Sequence, residues 1–151
     1  MRQLKENQYG YVFYTALFEA IMQGTETEQT VIKALERISL NAELFDIVVI
    51  IRGGGSQSDL SWFDNYNIAY FVTQFPLPVI TGIGHEKDMS VTDMVAFRSL
   101  KTPTAVADFL IDTVSEAEDY LNQLSTQIAE NTRSVITKYR DITESFRTKL
   151  I

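Results

Sequence analysis

Two loops in this chain carry the residues best suited to phosphate chemistry. Arg52-Gly53-Gly54-Gly55-Ser56 follows the apolar run Phe45-Asp46-Ile47-Val48-Val49-Ile50-Ile51, and Gly82-Ile83-Gly84-His85-Glu86-Lys87-Asp88 follows Pro78-Val79-Ile80-Thr81. Glycines let a backbone approach a ligand with no Cβ in the way and reach positive φ. Free N–H groups in such a turn, leading into a helix, make an anion site. Arg52 adds a planar, permanently charged fork that matches phosphate. The alternative is a tight strand-to-helix turn that binds nothing, for which one glycine would suffice. The spacing is neither the dinucleotide fingerprint nor a P-loop, since no Gly-Lys-Ser/Thr follows.

His85 is the only histidine. It can donate or accept a proton near neutral pH, and a neighbouring carboxylate can fix its tautomer. A lone histidine is also a common structural residue. Asp88 reads equally as its partner or as the N-cap of the next helix, and Glu86 as a partner or a solvated charge. Glu86, Asp88 and Asp93 are candidate oxygen ligands for Mg²⁺. No spacing here specifies zinc, and nothing points to an organic cofactor.

These loops must be held by elements legible in the apolar pattern. β-Branched runs at 45–51 and 78–82 read as parallel strands buried on both faces. Tyr9–Leu17 reads as a further strand. Thr25 with Glu28 has the form of a capping box ahead of a helical stripe, Val31, Ile32, Leu35 and Ile38. Asp59 opens a helical stretch with Trp62 and Phe63 expected in the core. A second helix starts near Asn65, with Ile68, Ala69, Phe71 and Val72 on its apolar side, and Val91–Phe97 reads as a short helix. Alternating strands and helices demand parallel pairing with crossovers. The fold expected is α/β, a Rossmann-like three-layer core followed by a long C-terminal helix. Ligands then bind beyond the carboxyl ends of the strands.

After Lys101 the pattern changes. Thr102 can cap a helix with Pro103 at its first position. Ser115 with Glu118 offers another capping box, so an interruption is expected near Asp112. Ala117, Leu121, Leu124, Ile128, Val135, Tyr139, Ile142, Phe146 and Leu150 then recur at helical steps. So narrow a stripe suits a coiled coil or a partner-binding helix. Two segments are expected, an α/β core over 1–112 and the helix over 113–151.

Arg52-Gly53-Gly54-Gly55-Ser56, Asp59-Leu60, Phe63, Pro78-Val79-Ile80, Gly84-His85-Glu86 with Asp88, Asp93 and Thr102-Pro103-Thr104-Ala105 occur here in order. Together they resemble the exodeoxyribonuclease VII large-subunit family over about residues 8–112. The resemblance implies a bacterial hydrolase that degrades single-stranded DNA from both ends to oligonucleotides, working with several copies of a small helical subunit. It implies catalytic roles for Arg52, His85 and Asp88, and phosphate or DNA contacts from Gly53, Gly54, Gly55, Ser56, Gly84 and Thr102. The chain departs from the family pattern at Val95–Lys101, where Ala-Asp-x-Arg-Ala is usual. The family's N-terminal OB-fold, an upstream acidic residue and the rest of its helical region are not found in these residues. The 151 residues are therefore expected to fold but to show little nuclease activity alone.

Composition bounds these readings. The chain has 45% hydrophobic residues, no cysteine and a formal charge of -7. One sizeable core is expected, with no disulfides, thiolate metal sites, signal peptide or transmembrane helix; a cytoplasmic protein fits. The acidic balance opposes broad electrostatic capture of DNA, so any basic surface must be local to Arg52 or supplied from elsewhere. Two other readings remain: a phosphate- or nucleotide-binding α/β domain without nuclease activity, and an assembly scaffold joined through the long helix, most simply as a homodimer.

Overall fold

The structure is a computed structural model that describes residues 2–53, 57–84 and 89–149. The chain forms two compact units, Met1–Ile111 and Asp112–Ile151. In the first, three short strands make one parallel sheet in the order β1 (Val48–Ile51), β2 (Val79–Gly82), β3 (Arg98–Ser99). Val48 lies opposite Val79 and Ile51 opposite Gly82, while Ile80 and Thr81 pair with Arg98 and Ser99. The described helices are α1 (Arg2–Lys5), α2 (Thr27–Ser39), α3 (Tyr66–Thr73), α4 (Val91–Val95) and α5 (Pro103–Lys149), with 3₁₀ turns at Ala42–Leu44 and Gln57–Phe63.

Strand alternation sorts the layers. Val48, Ile50 and Val79 point to the face where Val31, Leu35 and Ile38 of α2 and Ile68 and Val72 of α3 complete one core. Ile51 and Gly82 share the opposite face, which Val106 in the first turns of α5 covers. β2 is buried along its whole length because helices lie on both sides. The α/β fold with a parallel sheet and a long C-terminal helix is thus as expected. A smaller cluster joins Leu4 of α1 to Ala107 and Ile111 of α5, and the Gln3 amide donates to Asp108 beside it.

Several local expectations are corrected. Tyr9–Leu17 forms no ladder and has no regular secondary structure, although its side chains alternate between half-buried and exposed at several steps. Thr25 does not cap α2; the N-cap position is Glu26, with no side-chain cap bond. The Glu28 carboxylate is drawn elsewhere, accepting hydrogen bonds of 2.7 Å each from the side-chain amides of Asn65 and Asn67. Asn65 in turn caps α3 through Asn67 N and Ile68 N. Trp62 is more than one-third exposed, whereas Phe63 beside it is fully buried. The helix expected to reach Phe97 ends at Val95, because Ala96 turns extended and Phe97 N donates to Val79 O.

The Asn67 and Asn65 hydrogen bonds hold the Glu28 carboxyl below its ordinary range. A depressed folded-state pKa stabilises the fold above the unfolded value, and that contribution disappears as pH falls through the folded one. Glu28→Gln should therefore flatten the acid side of the stability curve. Thermal melts from neutral pH to about pH 3, spanning the ordinary glutamate range, check this; an unchanged acid limb would contradict it.

In the second unit, residues 112–149 are helical throughout as part of α5. The interruption expected near Asp112 is absent. No glycine or proline lies between Thr104 and Lys149, so nothing removes a backbone donor or loosens the helix. Leu121, Ile128, Val135, Tyr139, Ile142 and Phe146 are all exposed. No described helix is long and apolar enough to cross a membrane.

Candidate active site

The three parallel strands end along one edge, and the candidate residues follow directly from their ends. Arg52 continues the β1 ladder by one step, its N–H reaching Gly82 O at 3.5 Å. Beyond β3, Leu100 N donates to Thr81 O at 2.8 Å, so the chain entering α5 leaves from the same edge. There Thr102 caps the helix, its hydroxyl accepting from Ala105 N at 3.1 Å. Pro103 occupies the first helical position, where its missing N–H costs nothing. The partial positive charge of the α5 N-terminus therefore accompanies Arg52 on this edge.

Gly82 explains how the two approach. A Cβ there would sit 2.7 Å from Val106 Cγ2, 3.1 Å from Ile51 Cγ2 and 3.3 Å from Thr102 O. Absence of a side chain lets the first turn of α5 pack directly on the end of β2. Val106 is β-branched and buried, so it cannot swing aside. Gly82→Ala should cost about 1–3 kcal/mol as an overpacking change, read from the denaturation midpoint. Val106→Ala in the same chain should recover part of that loss, and a lack of coupling would contradict the close approach.

The remaining candidates divide. Arg52 is nine-tenths buried and Gly84 half-buried, while Gly53 and Thr102 are exposed. Gly53 has no positive φ, and a Cβ there would meet no atom of the described residues within 4 Å. Gly54, Gly55, Ser56, His85, Glu86 and Asp88 lie outside the described residues.

Asp93 is described, and it is deeply engaged. Its Oδ1 accepts from Thr81 Oγ1 at 2.5 Å and Ser99 Oγ at 3.1 Å. Its Oδ2 accepts from Ser90 N at 3.1 Å and Ser90 Oγ at 2.8 Å. Four donors match the lone-pair capacity of a carboxylate, and Asp93 is 3% exposed. It ties α4 to β2 and β3 rather than facing the edge. Among the described residues, no group of three His, Cys, Asp or Glu could hold a metal.

The cap of α4 is Ser90, which closes a reciprocal capping box with Asp93; of the two readings of Asp88, the N-cap one is therefore set aside. The signal was present, since Ser90 and Asp93 have capping-box spacing. Asp64 Oδ1 also accepts from Val91 N at 2.9 Å, and Thr92 Oγ1 donates to Phe63 O at 2.7 Å. α4 is thus fixed on both sides just after His85–Asp88. Thr81, Ser99 and Gly82 are further positioning residues, with no chemical signature that would single them out in sequence.

This edge sits in a chain matched by the family model "Exonuclease VII, large subunit" over residues 3–150. The chain belongs to the exonuclease VII large-subunit family. Proteins named exodeoxyribonuclease 7 large subunit from Lactobacillus helveticus and Shouchella clausii are each 32% identical to it, covering 83% of this chain and 28% of the relative. One from Clostridium botulinum is 29% identical over 150 residues, covering 37% of the relative. The chain thus spans roughly a third of the length of these curated relatives.

Proposed function

We infer that this chain is the catalytic core of an exonuclease that hydrolyses phosphodiester bonds of single-stranded DNA from both ends, releasing oligonucleotides. The observation that carries the reading is the placement of Arg52 at the end of β1, beside the glycine end of β2 and the capped start of α5, in a chain of this family. Arg52 and the amides of Gly53–Gly55 neutralise the scissile phosphate and the charge that grows on it. Ser56, Gly84 and Thr102 add contacts along the strand. His85 transfers the proton and Asp88 orients it; were Mg²⁺ bound, Glu86 and Asp88 would supply oxygen ligands and the ion would add charge stabilisation at the phosphate. Asp93 acts as a positioning residue, because its oxygens are already filled by Thr81, Ser99 and Ser90.

The exposed stripe from Leu121 to Phe146 supports association, either with the family's small subunit or between copies of this chain. Net charge -7 weakens strand capture by these residues alone, so the assay belongs to the full-length protein with its small subunit. The absence of cysteine fits a cytoplasmic setting. Single strands labelled at either the 5′ or the 3′ end should both yield short labelled oligonucleotides, while duplex of the same sequence persists. Binding of the labelled strand without shortening would favour a phosphate-binding domain instead.

A further inference from the structure

Four described helices begin at the carboxyl ends of the strands. Glu28, in the first turn of α2, accepts from Asn65 and Asn67 at the start of α3. Asp64, one residue before the α3 cap, accepts from Val91 N at the start of α4, and α5 begins against Gly82 at the end of β2. Three of these starts are closed by side chains: α3 by Asn65, α4 by Ser90 with Asp93, and α5 by Thr102. α2 differs, since its N-cap Glu26 makes no side-chain cap bond. Thr27 N donates to Gly24 O and Thr30 N to Glu26 O. Glu28 N and Gln29 N are left without an acceptor among the described residues.

A buried donor lies beside those amides. Thr27 is 1% exposed, and its Oγ1 has no hydrogen-bond partner. A buried hydroxyl left unpaired is costly and calls for an account. Thr27 shares the buried face of α2 with Val31, Leu35 and Ile38, and a helical Cα–Cβ bond tilts toward the N-terminus, so the hydroxyl is aimed at the uncapped first turn. This position adjoins the candidate active site. α2 reaches β1 through residues 40–47 and runs back along it, in one core with Val48 and Ile50. One turn back from Val31 is Thr27; one alternation on from Ile50 is Arg52, which extends the β1 ladder. The two buried polar side chains therefore end the same core layer at the same edge. Gly24, with φ of 95° and open space where a Cβ would sit, leaves the approach to the helix start clear.

We propose that the start of α2 is a second phosphate subsite, where Glu28 N, Gln29 N and the Thr27 hydroxyl hold a phosphodiester of the same strand whose scissile phosphate lies at Arg52. Helix N-termini favour anions through their free N–H groups and their dipole. The flanking charges select the kind of anion. Glu26 and Glu28 place carboxylates nearby, the second already held by two asparagine amides, so a singly charged phosphodiester is favoured over a dianionic terminal phosphate. The same carboxylates make the subsite weak by itself. It fills once Arg52 has captured the strand and raised the local concentration of its other phosphates. The proposal rests on the reading of Arg52 as a strand-binding residue, and adds the second point that sets the path of the strand from β1 toward α2.

The test follows amide shifts of the isotopically labelled chain with a thymidine dinucleotide, which has a single phosphodiester, and with a thymidine hexanucleotide, which has several. The dinucleotide should shift Arg52 and Gly53 but not Glu28 or Gln29. The hexanucleotide should shift all four. Thr27→Val should weaken hexanucleotide binding about tenfold, the usual worth of a hydrogen bond to a charged group, and leave dinucleotide binding as it was. Valine matches threonine in shape and removes an unpaired hydroxyl, so the melting temperature should not fall. Thr27→Ser retains the hydroxyl and should bind the hexanucleotide as the parent does. Two results would overturn the subsite: hexanucleotide shifts at Arg52 and Gly53 with none at Glu28 and Gln29, or equal hexanucleotide affinity in the parent and Thr27→Val. If neither oligonucleotide shifts Arg52, the strand-binding reading itself falls, and the subsite with it.

Discussion

Replacing His85 by alanine in the full-length protein with its small subunit should slow single-strand degradation about 100-fold or more, the usual size of a lost proton-transfer group. The reasoning is positional. β2 delivers its carboxyl end beside Arg52, and α4 restarts the chain at a cap fixed by Asp93, Thr81 and Ser99. In sequence, His85 lies between these two anchored points. A structural histidine would lower the melting temperature in step with the rate. A catalytic one lowers the rate at unchanged melting temperature and removes one limb of the pH–rate profile. Near-normal turnover with an intact fold would remove His85 from the mechanism.

Arg52→Ala should lower turnover by about 10²–10³-fold, as expected for a preorganised group stabilising developing charge. Arg52→Lys should recover little, since a lysine offers a point charge in place of a planar fork. Because Arg52 is 9% exposed, its removal also perturbs packing, so turnover must be compared with melting temperature for both variants. If the lysine variant restores full activity, the guanidinium geometry is irrelevant and only local positive charge matters.

The elements that position this edge were largely legible because they are locally determined. The β-branched runs at Val48–Ile51 and Val79–Ile80 announce buried strands, Asn65 announces the start of α3, and Thr102-Pro103 announces the start of α5. Tyr9–Leu17 has strand character but no neighbour to pair with, and a ladder is not a local property. β3 escaped notice because two residues, Arg98 and Ser99, carry no period. Their strand state is imposed by pairing with Ile80 and Thr81. Thr25 and Glu28 have capping-box spacing, but Asn65 and Asn67, distant in sequence, compete for the carboxylate. Asp93 reads in sequence as a candidate oxygen ligand for Mg²⁺; only the fold reveals that Thr81 and Ser99 occupy it. Gly82 looks like one more loop glycine until Val106 is seen against it.

The central claim is that an acidic chain carries a local anion site where its strands end. The most direct measurement is a titration of the isotopically labelled chain with inorganic phosphate and with a thymidine dinucleotide, followed through backbone amides and the Arg52 side chain. Saturable shifts should concentrate at Arg52, Gly53, Gly84 and Thr102, weaken with salt, and leave Gly10 and Gly24 unmoved. Shifts that never saturate, or that spread evenly over the chain with none favoured at Arg52 and Gly53, would contradict the account.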